Sequence, residues 1–289
     1  MGWKRIVTMG IGFSLLAAWS AYGADVRRKG GGNELSVEID DGYLIVAEGS
    51  IGELHGLRFL LDTGTSSTAI DRRLAKRLGV IGQEASLINF DKTVRAQWGN
   101  ISEINYGPEE ASDVRVLIED LRYLRPGGAR VDGILGLDLL RRKSFLVDYA
   151  RKVVVFGARE SDGMRAAPMR AGETELCVEA ELNGRKVWMI ADTGLWGAVL
   201  YERGRSPRLQ AYRMDTGGTA RSLGGTVESY QGVVLQFKLG GQDLERRVLL
   251  VNAPNVKRLD DVAGYLGPSS LGAKQIFFDF ESEELRWRK

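Results

Sequence analysis

Two aspartates in the same local setting stand 130 residues apart. Asp62 closes the apolar run of FLLDTGT (59–65), Asp192 closes that of MIADTGL (189–195), and each is followed by Thr and Gly. Two carboxyls facing one water suffice to hydrolyse a peptide bond without a metal or a covalent nucleophile. One is ionised and draws a proton from the water; the other is protonated and polarises the scissile carbonyl. At a separation of about 3 Å the roles divide of themselves, because both groups cannot easily ionise. One aspartate must then come from each half of a two-fold arrangement. Gly64 and Gly194 allow the sharp turn that brings backbone amides to the carboxylates. Thr63 and Thr193 are placed to hydrogen-bond across the two-fold and lock the loops together.

The two loops differ one residue later. Thr65 offers a hydroxyl to the outer oxygen of Asp62 and so favours its ionised form, whereas Leu195 has nothing to donate and Trp196 adds bulk beside it. The asymmetry assigns the charge to Asp62 and the proton to Asp192, with a pair whose lower pKa is raised and whose activity lies at less acidic pH. A third Asp-Thr-Gly, at 215–217 in YRMDTGGTARS, lacks the apolar strand before it and reads as a hairpin turn.

Elements that hold two such loops in register should themselves recur, and they do. DGILGLDLL (132–140) returns as AGYLGPSSL (263–271), and SFLVDYARKVVVF (144–156) as QIFFDFESEELRW (275–287). Asp62 to Gly136 is 74 residues and Asp192 to Gly267 is 75, while Gly136 to Asp148 and Gly267 to Asp279 are both 12. The chain reads as an internal duplication. Residues 158–172, ARESDGMRAAPMRAG, have charge, Gly and Pro without apolar periodicity and read as a linker between lobes at 35–157 and 173–289. Each lobe is mainly β. LSVEID, YLIVAE, LRFLLD, TELCVEAEL, KVWMIAD, GVVLQFKL and RRVLLVN are strand runs, and Asn183-Gly184 is a type I′ hairpin signature. DRRLAKRLGV predicts a short helix capped by Asp71 and ended by Gly79, and GLDLLRR a second.

Bulk properties narrow the chemistry further. Residues 1–23 carry Lys4 and Arg5, an uncharged stretch from Ile6 to Tyr22, and small residues at Ala21 and Gly23, the order of a secretory signal. The chain is then expected to be exported, periplasmic or secreted, with no stable membrane insertion after cleavage and with residues 24–34 as a short lead into the first lobe. The formal charge of +2 falls to 0 without that segment, which leaves no basic patch for nucleic acid. A single cysteine, Cys177, and a single histidine, His55, exclude a disulfide framework and a Cys/His zinc cage. No metal or other cofactor is expected. His55, in ELHGLRF, reads as an exposed turn residue.

FLLDTGTSSTAID followed by GILGLDLL resembles the clan of retropepsin-like and pepsin-like aspartic peptidases, strongly in the first lobe and loosely in the second. The resemblance implies two closed, β-barrel-like acid-protease lobes related by pseudo-two-fold symmetry. Asp62 and Asp192 would be the catalytic pair in the cleft between them, and Thr63, Gly64, Thr65, Thr193 and Gly194 the supporting loop residues. It further implies β-hairpin flaps over a peptide or protein substrate: Leu223, Gly224 and Gly225 in the second lobe, and the region 90–98 in the first. The expected protein is a monomeric endopeptidase with an internal pseudo-dimer. The alternatives are a peptide-binding module with a degenerate second lobe, and a homodimer that pairs two first lobes.

Overall fold

The computed structural model describes residues 6–8, 13–14, 32–89, 92–159, 163–201, 212–221, 227–251 and 261–289. Its opening strands, β1 (Ile6–Thr8) and β2 (Phe13–Ser14), are all that is described of the segment read as an export signal. The first half then runs β3 (Glu34–Asp40), β4 (Leu44–Ile51), β5 (Leu54–Leu61), β6 (Ala69–Asp71), α1 (Arg72–Arg77), β7 (Gln83–Asn89), β8 (Lys92–Tyr106), β9 (Glu109–Glu119), β10 (Gly133–Leu135), α2 (Leu137–Leu140), β11 (Phe145–Asp148) and β12 (Val153–Phe156). The second runs β13 (Arg165–Ala171), β14 (Leu176–Leu182), β15 (Arg185–Ala191), β16 (Ala198–Tyr201), β17 (Tyr212–Arg221), β18 (Val227–Leu239), β19 (Gln242–Val251), β20 (Val262–Leu266), α3 (Pro268–Leu271), β21 (Gln275–Asp279) and β22 (Glu284–Arg288). The protein is mainly β, as its alternating β-branched and aromatic runs require.

Strand pairing in the second half repeats that of the first. β5 forms a hairpin with β4 and lies parallel to β10, which pairs antiparallel with β6, while β6 lies parallel to β9. Correspondingly, β15 forms a hairpin with β14 and lies parallel to β20, β20 pairs antiparallel with β16, and β16 lies parallel to β19. The β14–β15 turn has Asn183 and Gly184 at φ 49° and 74°, the positive values a type I′ turn needs. A third sheet draws on both halves in the order β3-β12-β11-β21-β22-β13. At its centre Phe145 faces Phe278 with ring centroids 4.6 Å apart, and Gln275 Nε2 donates to Asp148 Oδ2 at 2.8 Å. β3 and β13 continue from this sheet into the two halves through β4 and β14.

Helix α1 begins where the sequence says. Asp71 Oδ1 accepts the Arg73 N–H at 2.9 Å, Lys76 and Arg77 occupy the last turn, and the chain turns away at Gly79 with φ 67°. Among the described residues no helix is long and apolar enough to cross a membrane.

Two readings need correction. The stretch 158–172 is no simple linker, because Arg165–Ala171 is strand β13, paired to β22 and β14 with Ala167 and Met169 buried. Its inward positions are small or flexible residues beside Pro168, so the period-two signal is weak. The Asp215-Thr216-Gly217 copy is not a hairpin turn but lies inside β17, at a register shift between Asp215 and Gly218. An extra residue in one strand gives the local kink that Gly residues accommodate. His55 is exposed near the start of β5, just past the turn.

Phe145 is 1 % exposed and also neighbours Phe156 and Phe280. Phe145→Ala should therefore lower unfolding free energy by about 3–5 kcal/mol in urea denaturation, the usual cost of emptying a buried aromatic site.

Candidate active site

Each Asp-Thr-Gly loop leaves the end of a strand buried on both sides. Asp62 N donates to Leu135 O and Asp192 N to Leu266 O, both at 3.0 Å, so β10 and β20 fix where β5 and β15 release the chain. Residues 65 and 195 then fold back, their amides donating to Asp62 O and Asp192 O at 3.3 Å.

The threonines tie the loops together reciprocally. Thr63 Oγ1 donates to Ala191 O at 2.7 Å and accepts from Thr193 N at 3.1 Å; Thr193 Oγ1 donates to Leu61 O at 2.8 Å and accepts from Thr63 N at 3.0 Å. Every donor and acceptor in this square is buried and satisfied, so neither loop shifts without stranding a polar group of the other. The glycines set the approach. A Cβ on Gly64 would lie 2.6 Å from Asp192 Oδ1, and one on Gly194 2.7 Å from Asp62 Oδ2. Each carboxyl thus sits over the opposite loop's glycine, where no side chain fits.

Asp62 and Asp192 are 1 % and 2 % exposed, and their carboxyls lie close enough for each to shift the other's titration. Asp62 is well served: Gly64 N donates to Oδ1 and Thr65 Oγ1 to Oδ2, both at 2.9 Å. Asp192 accepts from Gly194 N at Oδ1, 2.8 Å, while its buried Oδ2 receives no N–H or O–H from the described residues. Burial pushes the Asp62 carboxyl up, and the Thr65 hydroxyl, the contact with Asp192 and the loop amides pull it back. Asp192 is pushed well above the ordinary aspartate value, first by burial and then by the neighbouring Asp62 charge. A proton on Asp192 turns a clash of two acceptors into an O–H···O bond, and the donors around Asp62 hold the charge there.

Leu195 and Trp196 do not hold the carboxyls apart. Leu195 is fully buried in an apolar cluster with Cys177, Ile190 and Val199. Trp196, half-buried, packs against that cluster and also against the first half's cluster of Trp98, Leu121 and Leu124. Leu223, Gly224 and Gly225 lie outside the described residues. The first-half hairpin β7–β8 does bracket the region 90–98, with residues 90–91 at its tip also outside them.

Sequence reasoning missed two neighbours of the pair. Burial first, then the neighbouring Tyr201 hydroxyl and the Asp192 charge, push the Tyr265 hydroxyl well above its ordinary value. Asp138 binds the back of the Asp62 loop, with Oδ1 accepting from Thr68 N and Thr68 Oγ1 at 2.9 and 2.8 Å. Its signal was present in the repeat, where GLDLL has a carboxylate that GPSSL lacks.

Both aspartates titrate above 3.8, their value without the fold, so the folded chain binds protons more tightly than the unfolded one. The contribution of the pair to stability should be fully present in acid and be lost as pH rises from near 4 through the folded pKa values. Asp192→Asn retains an acceptor for Gly194 N and supplies a donor toward Asp62 without a titratable proton. Denaturation at several pH values should show this variant gaining on the wild type as pH rises from 4 to 7. Gly64→Ala should show the opposite, a loss of stability at every pH, because its methyl displaces Asp192.

A search of the curated proteins finds no match. Residues 47–139 match the family model described as aspartyl protease, a segment from β4 to α2 that contains Asp62 and Asp138 and ends before Asp192. That similarity supports an aspartic peptidase-like family for this part of the chain.

Proposed function

We propose that the chain is an exported aspartic endopeptidase in which Asp62 and Asp192, one from each of two pseudo-two-fold-related lobes, activate a water against a peptide bond. The observation that carries this reading is the pair itself: two buried carboxyls, each seated over the opposite loop's glycine, with two donors aimed at Asp62 and only one at Asp192. Asp62 takes a proton from the water as it attacks; Asp192 donates its own to the carbonyl oxygen. The gem-diol then collapses with cleavage of the C–N bond: the leaving nitrogen takes the proton from Asp62, and a gem-diol hydroxyl returns one to Asp192, restoring the starting pair. No metal enters this scheme. The secretory pattern of residues 1–23 supports export, and the substrate would be an extended peptide or protein segment.

The alternative is a non-catalytic peptide-binding module, which the bulky Leu195 and Trp196 beside the second loop suggest. Their packing into apolar clusters, with the carboxyls still in contact, favours catalysis instead.

The test is incubation of the purified chain with a mixed peptide library between pH 3 and 7, beside Asp62→Asn and Asp192→Asn. Each substitution should reduce cleavage by about 10³-fold or more, within the range of a lost general acid or base. Activity should rise with pH as Asp62 ionises, above about pH 4, where an ordinary aspartate titrates, and fall where Asp192 loses its proton. Cleavage that survives Asp192→Asn rejects its role and points to a homodimer of first lobes; binding without cleavage selects the module. An acidic limb below about pH 2, the lower pepsin value, rejects the raised pair.

A further inference from the structure

The two loops are held from behind in different ways. In the first half Asp138 Oδ1 collects three donors: Thr68 N at 2.9 Å, Thr68 Oγ1 at 2.8 Å and Leu139 N at 3.0 Å. Thr68 Oγ1 in turn accepts from Gly136 N at 3.2 Å. Leu137 N donates to Thr65 O at 2.7 Å and Asp138 N to Ser66 O at 3.2 Å. Residues 65–68 are therefore stitched to 136–139 at both ends, and the hydroxyl that serves Asp62 belongs to the first of them.

In the second half the matching positions are Pro268 for Leu137, Ser269 for Asp138 and Leu195 for Thr65. Proline has no N–H to give the loop carbonyl, and serine cannot spread a carboxylate over three donors. The clamp is present only behind the loop whose third residue must donate, and all three of its parts are replaced where it need not.

We infer that Asp138 is a positioning residue that holds the Thr65 hydroxyl on Asp62 and so fixes which carboxyl of the pair carries the charge. This rests on the reading of Asp62 and Asp192 as the catalytic pair. Asp138 does not touch the reacting atoms; it acts through Thr68 and the loop backbone. Burial holds its own carboxyl up at about 6, against the pull of Thr68, Arg142 and the Leu139 amide. The charged and titratable groups around it are Arg142 on the chain just past α2, whose Nε donates to Asp138 O at 3.2 Å, and Tyr106 of β8, which in turn neighbours Glu109 of the Lys143–Glu109 ion pair. Around the pair itself the titratable neighbours are Tyr265 and Tyr201.

The test follows the aspartate carboxyl resonances by carbon-13 NMR titration in the full chain, with Asp62→Asn and Asp192→Asn for assignment. Asp138→Ala, Asp138→Asn and Thr68→Val are compared with wild type, and kcat and KM are measured on one library peptide. Asp138→Ala should raise the Asp62 titration by about one unit, the worth of one hydroxyl bond to a charge. Below that pKa kcat should fall about tenfold, with KM within about twofold. Asp138→Asn, which keeps the Oδ1 acceptor, should return both toward wild type. Thr68→Val should move them in the same direction as Asp138→Ala and keeps the test open if that variant does not fold. An Asp62 titration unmoved in Asp138→Ala or Thr68→Val, or a kcat loss that Asn does not rescue, overturns the inference. A titration that follows Asp138 in a chain that cleaves nothing retains it and rejects the peptidase reading instead.

Discussion

Two carboxyls in contact under almost complete burial form an arrangement that folding opposes. Each loses hydration, and each raises the cost of ionising the other, so the pair is tolerable only with one proton between them and with donors aimed at whichever oxygen atoms remain charged. Most of what surrounds Asp62 and Asp192 answers that demand. Gly64 and Gly194 let each carboxyl lie over the other's loop, the loop amides turn inward, and the Thr63–Thr193 square fixes the separation. Rigidity matters as much as contact, because a loop free to retreat would let both groups ionise into solvent and lose the divided roles.

Neither half can meet the demand alone. The threonine bonds run from each loop to the strand end of the other half, and the sheet through β11 and β21 sets the distance across which they reach. Phe145 stacked on Phe278 and the Asp148–Gln275 bond sit at that junction, far along the chain from either aspartate.

Much of this was legible where the determinants are local or recur. The apolar run, Asp-Thr-Gly and the later Leu-Gly landmark identify both loops, and Asp71 with Gly79 marks α1 because a cap and a left-handed turn are written in adjacent residues. The misreadings have physical causes. β13 is a strand whose buried positions are Ala167 and Met169, stabilised by two partners rather than by its own pattern. The Asp215 copy sits at a bulge, a feature of register between two strands that one strand's sequence does not specify. The part of Asp138 in the site depends on Thr68, 70 residues away, so spacing rules have no purchase on it. Only comparison of the two repeats exposes it, as the carboxylate that one copy has and the other lacks.

That comparison also changes the meaning of Leu195. A second hydroxyl at this position would donate to Asp192 and favour its ionised form, lowering the cost of the state in which both carboxyls are charged. Leucine removes that option and contributes its own burial in the cluster with Cys177, Ile190 and Val199, worth about 1.5–3 kcal/mol by apolar transfer. The loop thus exchanges a hydrogen bond that would weaken the proton's hold for packing that stiffens the loop. With Thr65 clamped by Asp138 on one side and Leu195 locked in an apolar cluster on the other, the two loops set different surroundings around chemically identical groups. An asymmetric pair built from two Asp-Thr-Gly loops needs such opposed environments, since two equal ones would leave the proton no preferred place.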